Sequence, residues 1–297
     1  MRLKADLTLF LVAMIWGTAF VAQRIAGQQD VVYLFNGARY LLAAFVVLPF
    51  VNRKASIPRG QWKWMLVAGF ILFVGSALQQ AGVVYTTAGN AGFITSLYVV
   101  LIPIVLFLFW KEKPRGLAIV AVALAVVGAF LLSTGGGFAL HAGDALELVG
   151  ALFWTFHVIV LGKYASRYDA ISFSVGQLAI CGLLNLSIGI FVEPIQSINN
   201  LPLIGAIVYT AVFSLGIAYT LQIGAQKHTP PTDAALILGL ESVFSVISGW
   251  IILHEQLVLI QIIGCGLILF AVLLSQFKEW KPSGKIDYER LAEADES

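Results

Sequence analysis

The chain reads as long apolar runs broken by short polar stretches. Ten runs stand out, over residues 6–23, 32–51, 64–84, 91–110, 116–132, 145–162, 171–192, 203–223, 233–253 and 257–277. Each comes close to the roughly 20 mainly apolar residues that a helix needs to cross the hydrocarbon core of a bilayer. The runs are too long for barrel strands and do not alternate with a period of two, which argues against a transmembrane β-barrel. The connections are short, so successive helices are predicted to be antiparallel neighbours. The first run follows Arg2 and Lys4, as a signal peptide would. It is long for a signal core and no A-x-A site follows it, so it is read as a retained helix. The expected fold class is an all-α integral membrane protein.

Composition sharpens this picture. Hydrophobic residues make up 59% of the 297 and charged residues 11%, against about half and about a quarter in soluble domains. The apolar surplus must face lipid. The net charge of +2 says less than the placement of the charges. With ten alternating spans, one set of loops carries Arg2, Lys4, Arg53, Lys54, Arg59, Lys63, Lys111, Lys113, Arg115, Lys163, Arg167, Lys227, Lys278, Lys281, Lys285 and Arg290. The opposite set carries only Arg24, with the acids Asp30, Asp144, Glu147, Glu193 and Glu255. By the positive-inside rule the first set is cytoplasmic. Both termini are then cytoplasmic, and the expected location is a bacterial inner (cell) membrane. Cys181 and Cys265 lie far apart in apolar runs and suggest neither a disulfide framework nor a zinc site.

The chain also repeats itself. Residues 68–131 slide onto 211–274 without a gap, matching Leu78-Gln79 to Leu221-Gln222, Thr86 to Thr229, Tyr98 to Glu241 in register, and Glu112 to Glu255. A slightly smaller shift places Trp16 on Trp154 and Phe35 on Phe173. Five spans per half is an odd number, so the halves must enter the membrane in opposite orientations, giving two inverted five-helix repeats. The expected units are residues 1–138, 139–278 and a cytoplasmic tail over 279–297. The loop Lys111-Glu112-Lys113-Pro114-Arg115 meets His254-Glu255-Gln256-Leu257-Val258, which keeps the glutamate and loses every Lys and Arg. Inverted repeats of this kind provide two related packings around a central site.

Several stretches carry a family resemblance: Trp16-Gly17, Ala38-Arg39-Tyr40, Leu97-Tyr98-Val99-Val100-Leu101-Ile102-Pro103 followed by Glu112, and Leu240-Glu241-Ser242-Val243-Phe244 followed by Glu255. With the two five-helix halves, they resemble the EamA-like family of the drug/metabolite transporter superfamily, over residues 7–277. The resemblance implies a secondary transporter, an exporter of amino acids and other small metabolites (efflux). One departure is Ser242, where the family often has a proline that kinks the ninth helix.

Ionisable groups inside a span are costly and mark candidate sites. Arg39 and Glu241 both fall near the midplane by helical rise. They are read as a substrate-binding or coupling pair, or else as a structural ion pair, and Glu241 is also a candidate proton carrier. Trp16 and Trp154 are mid-span repeat partners whose ring faces suit an apolar or cationic group, though helix packing explains them as well. Gln79 and Gln222 line a path or simply bond neighbouring helices. Tyr98, His157, Tyr219 and Asn36 complete the candidates. Glu112 and Glu255 are better read as carboxylates at helix N-termini. Ala121, Ala125, Gly128, Gly264 and Gly266 are better read as close-packing positions. The cavity is expected among helices one to four and six to nine, with helices five and ten bracing or dimerising.

Two other classes compete. A membrane-embedded enzyme needs a nucleophile–base set, a metal cluster or a carboxylate dyad, and no G-x-S-x-G, H-E-x-x-H or Cys/His cluster is present. A passive channel needs an oligomeric pore or a filter sequence. No G-x-x-x-x-G-K-[ST] loop is present, so ATP is not expected as the direct driver, and no cofactor is expected. The expected partners are a small-molecule substrate and the lipid bilayer, with no nucleic acid, in a monomer or homodimer.

Overall fold

In lipid a backbone must satisfy its own hydrogen bonds, so runs of this composition form helices. The computed structural model describes residues 1–29, 31–52, 57–113, 116–134, 142–194, 200–254 and 258–276. Helix α1 (Arg2–Gly27) is followed by α2 (Tyr33–Val47), α3 (Arg59–Val84), α4 (Ala88–Ser96), α5 (Tyr98–Trp110) and α6 (Gly116–Thr134). The second half begins with α7 (Ala142–Lys163), α8 (Ala170–Val192) and α9 (Leu201–Tyr209). A π-helical stretch, Thr210–Ile217, joins α9 to α10 (Ala218–Ala225), and α11 (Pro231–Leu238), α12 (Glu241–Ile252) and α13 (Leu259–Gln276) follow. Taken as rods, α4–α5, α9–α10 and α11–α12 each make one span. Eight helices among the described residues are long and apolar enough to cross a membrane, and two shorter apolar ones lie in α6 and α13. The tail, Arg53, Lys54, Arg115, Asp30 and Glu255 lie outside the described residues.

The repeat survives at two places where the backbone departs from regular α-helix. The fourth span breaks at Leu97 and the ninth at Leu240, which are repeat partners with the same geometry, φ −61° and ψ −14°. The only non-glycine residues with positive φ among those described are Lys111 (57°) and His254 (55°), again repeat partners, each just beyond a half-helix. The ninth span therefore breaks without the proline that Ser242 replaces. The Ser242 hydroxyl donates to the Gly239 carbonyl at 2.7 Å, an oxygen that the Ser242 backbone N–H also reaches at 3.2 Å. The Ser96 hydroxyl likewise donates to the Phe93 carbonyl at 2.8 Å in the first half.

Small residues let the rods approach. A methyl group on Gly128 of α6 would lie 2.7 Å from the Gly264 carbonyl of α13, and these two helices form a pair at one edge of the bundle. Gly266 has open space at its Cβ position, so it is not a packing position as expected. Gly37 and Gly189 bring α2 against α8. At the end bearing Gly27 and Glu193, Arg24 donates to the Val83 and Val84 carbonyls at 2.9 Å each, placing a cation on the C-terminus of α3. Glu193 accepts from the backbone N–H groups of Val32, Tyr33 and Leu34 at 2.8–2.9 Å, which caps α2 from the other half. At the basic end Arg2 pairs with Asp233 at 2.8 Å. Glu112 pairs with Lys163 and is thus an ion-pair partner there, a role not expected from the sequence.

Candidate functional site

The two helix breaks put the first residues of α5 and α12, Tyr98 and Glu241, in the middle of the bundle. Both line one cavity, and so do nine of the ten candidates singled out by the sequence, Asn36 excepted: Trp16, Arg39, Gln79, Tyr98, Trp154, His157, Tyr219, Gln222 and Glu241. Its walls come from α1, α2, α3, α4, α5, α7, the π-helical stretch, α10 and α12. Helix α8, expected to line it, contributes none of the lining residues. It supports the wall from behind instead, where His157 Nε2 meets Gln177 Oε1 at 3.0 Å. As expected, α6 and α13 stay out of the lining. The cavity measures about 40 Å³, room for roughly three waters, so a metabolite enters only if the walls move.

Arg39 is 2% exposed. Its Nε donates to Asn36 Oδ1 at 3.0 Å and its Nη2 to Gln23 Oε1 at 3.3 Å. The guanidinium lies 4.7 Å from the Phe35 ring centre and 5.2 Å from that of Tyr40. Asn36 is held in turn by donating to the Ser76 carbonyl at 3.0 Å, so it positions Arg39 without reaching the cavity. Among the described residues no carboxylate lies within 4.0 Å of Arg39. The expected alternative of an Arg39–Glu241 ion pair is therefore not what forms. The physical reason is placement: α2 holds Arg39 among neutral oxygens and ring faces, while Glu241 sits at the N-terminus of α12.

Trp16 Nε1 donates to the Ser214 carbonyl of the π-helical stretch at 2.9 Å, and its ring lies 5.1 Å from that of Tyr219. Its repeat partner Trp154 makes no such bond: Nε1 of Trp154 is buried with no partner among the described residues. Trp154 and Tyr219 flank His157 edge to face, with centroids 5.9 and 5.5 Å away. The two glutamines also differ. Gln79 donates to Thr95 Oγ1 at 2.9 Å, whereas neither amide atom of Gln222 has a partner among the described residues. The Tyr98 hydroxyl, His157 Nδ1 and Glu241 Oε1 are buried in the same condition. Buried polar groups are normally satisfied. Five such residues around one cavity make a surface suited to a polar ligand.

Sequence reasoning missed Gln23, Tyr40, Thr95 and Ser214 as wall residues, and Glu147 beside them. Tyr40 adjoins Arg39, and Thr95 lies three residues before Tyr98, which were usable signals. Glu147 was counted with the acids of the outer loops. It lies inside α7, 1% exposed, with Oε2 accepting from Thr95 Oγ1 at 3.2 Å.

A bundle of crossing helices with two broken spans around a polar midpoint is the architecture of a multi-pass membrane transporter, and its relatives bear that description. An uncharacterized transporter of Archaeoglobus fulgidus is 35% identical over 92% of this chain and 86% of its own length. The uncharacterized transporter YvbV of Bacillus subtilis is 25% identical, covering 93% of each chain. The uncharacterized inner membrane transporter YedA of Escherichia coli K12 is 23% identical over 90% of this chain and 88% of its own. A solved crystal structure shares the fold with a TM-score of 0.73 and 19% identity, covering 93% of this chain and 97% of the other. The model of the EamA-like transporter family matches residues 3–134 and 141–277, and the chain belongs to that family.

Proposed function

We propose that this protein is a secondary transporter that exports amino acids or closely related small metabolites by alternating access between its two halves. The observation that carries this reading is the shared cavity. A buried cation, Arg39, and a buried carboxylate, Glu241, line it together with the rings of Trp16, Trp154, Tyr98 and Tyr219. A ligand with a carboxylate for the guanidinium, an ammonium for Glu241 and a small apolar body complements all three features. Interactions with fixed charges away from water are strong enough to select it. Units over residues 1–138 and 139–278 then rock about the cavity, and two related packings open it to either side. In this reading the basic end faces the cytoplasm, both termini lie there, and the protein works in a bacterial inner membrane as a monomer or homodimer.

Counterflow into liposomes with labelled amino acids and other small metabolites tests the proposal. The unmodified protein is expected to give saturable exchange with a zwitterionic compound. Glu241→Gln is expected to cut that exchange at least about tenfold, the cost of one charge-assisted bond. Folded protein that exchanges none of these compounds overturns the substrate class. Exchange that survives Glu241→Gln removes that carboxylate from the site.

A further inference from the structure

The substrate cavity does not account for Glu147. It is 1% exposed in the middle of the contact among α7, α3 and α4, and no Lys or Arg among the described residues pairs with it. Its Oε1 has no hydrogen-bond partner there, and Oε2 has only the Thr95 hydroxyl. Gly82 of α3 closes over it, so tightly that a methyl group there would lie 2.5 Å from Glu147 Cγ. Charged neighbours are few. Asp144 lies one turn away on the same helix face, toward the end of the bundle, and Glu241 faces it from α12. Arg24 of α1 is engaged on the terminal carbonyls of α3, and Thr95 of α4 supplies a hydroxyl. Both carboxyl neighbours are of like sign. Packing of this kind over a carboxylate, without a cation, is costly.

The same residues form a line. Asp144, at 8% exposed near the mouth of α7, leads to Glu147, then to Thr95 at 3.2 Å and on to Gln79 at 2.9 Å in the cavity wall. Glu241 differs in lying at the first turn of α12, the positive end of a half-helix, and within the substrate cavity.

We propose that Glu147 is the proton-binding site that couples this transporter to the proton gradient, with Asp144 as its entrance and Thr95–Gln79 as its link to the substrate cavity. The proposal rests on the transporter reading. When the α3–α7 contact opens toward the Asp144 end, the Glu147 carboxylate takes one proton from water and becomes a neutral carboxylic acid. The neutral acid is the form over which Gly82 and Thr95 close. When the cavity opens to the other side, the proton passes back to water and the carboxylate is restored.

Liposomes with a pH difference across the membrane test this. For one proton per substrate, a difference of about one unit drives up to about a tenfold concentration ratio. The unmodified protein is expected to build such a ratio. Glu147→Gln is expected to abolish it while equal-pH counterflow continues, because glutamine still accepts from Thr95. A ratio that persists in Glu147→Gln overturns the proposal, as does unmodified protein that exchanges substrate yet ignores the gradient. Should Glu147→Gln fail to fold, a pH dye inside the liposomes decides the matter. Proton flux accompanying substrate flux, and slowed by Glu147→Asp, supports the site. Proton flux unchanged in Glu147→Asp overturns it. Equal-pH counterflow reads the transporter proposal and the gradient response reads Glu147, so the two fail separately.

Discussion

Gly17→Ala is expected to destabilise the folded protein by at least about 2 kcal/mol, the range of overpacking a tight interface. A methyl group at this position would lie 2.2 Å from Phe244 Cβ, 2.8 Å from the Glu241 carbonyl oxygen and 2.8 Å from the Phe244 carbonyl carbon. Two of these atoms are backbone, so no rotamer change relieves the contact. Helix α1 must move away from α12, and with it Trp16 must leave the Ser214 carbonyl. The loss therefore reaches the cavity as well as the fold. Gly266→Ala supplies the comparison, since nothing lies within 4 Å of a Cβ there and alanine favours the helix. Unfolding midpoints of the purified variants in detergent check this. A Gly17→Ala midpoint as high as that of Gly266→Ala would mean that α1 and α12 do not approach as described.

Arg39→Lys is expected to reduce substrate exchange at least about tenfold, about 1.4 kcal/mol, while the protein still folds. The charge is kept, but its geometry is not. Arginine spends Nε on Asn36 and Nη2 on Gln23 and keeps further N–H groups of a planar fork for a ligand carboxylate. A lysine ammonium is a single point on a flexible stem and cannot hold both oxygens and the ligand. It also loses the flat contact with Phe35 and Tyr40. Counterflow rates, read beside the unfolding midpoint, check the prediction. Normal exchange in Arg39→Lys would show that Arg39 serves as a charge alone.

The rods were legible because lipid demands long apolar helices. The inverted halves were legible because the Leu-Gln pairs, the threonines and the glutamates recur in register. Arg39 and Glu241 were legible for a separate reason, because a charge inside a span is costly. The helix breaks at Leu97 and Leu240 were not legible. Leucine carries no breaking signal, and proline was absent where the ninth span bends. The break arises from tertiary packing around Gly239, where a methyl group would lie 2.9 Å from Val99 Cγ2. The π-helical stretch at Thr210–Ile217 was hidden for the same reason. Glu147 was misplaced because a charge close to a span boundary reads as a loop acid, and only the packing of Gly82 over it shows that it is buried. The Arg39–Glu241 pairing failed because sequence gives depth along a helix, not the direction in which a side chain points.

Access to the cavity from both sides is the central claim. It is tested most directly by the reactivity of Gln222→Cys toward a membrane-impermeant thiol reagent in sealed vesicles, with Cys181 and Cys265 replaced by alanine. Gln222 lines the cavity, and its amide atoms have no partner among the described residues, so the change leaves the walls intact. Labelling of Lys113→Cys, exposed at the basic end, reports vesicle orientation. The expected result is labelling from either side in turn, slowed by a transported substrate. Labelling from one side alone would contradict alternating access about this cavity.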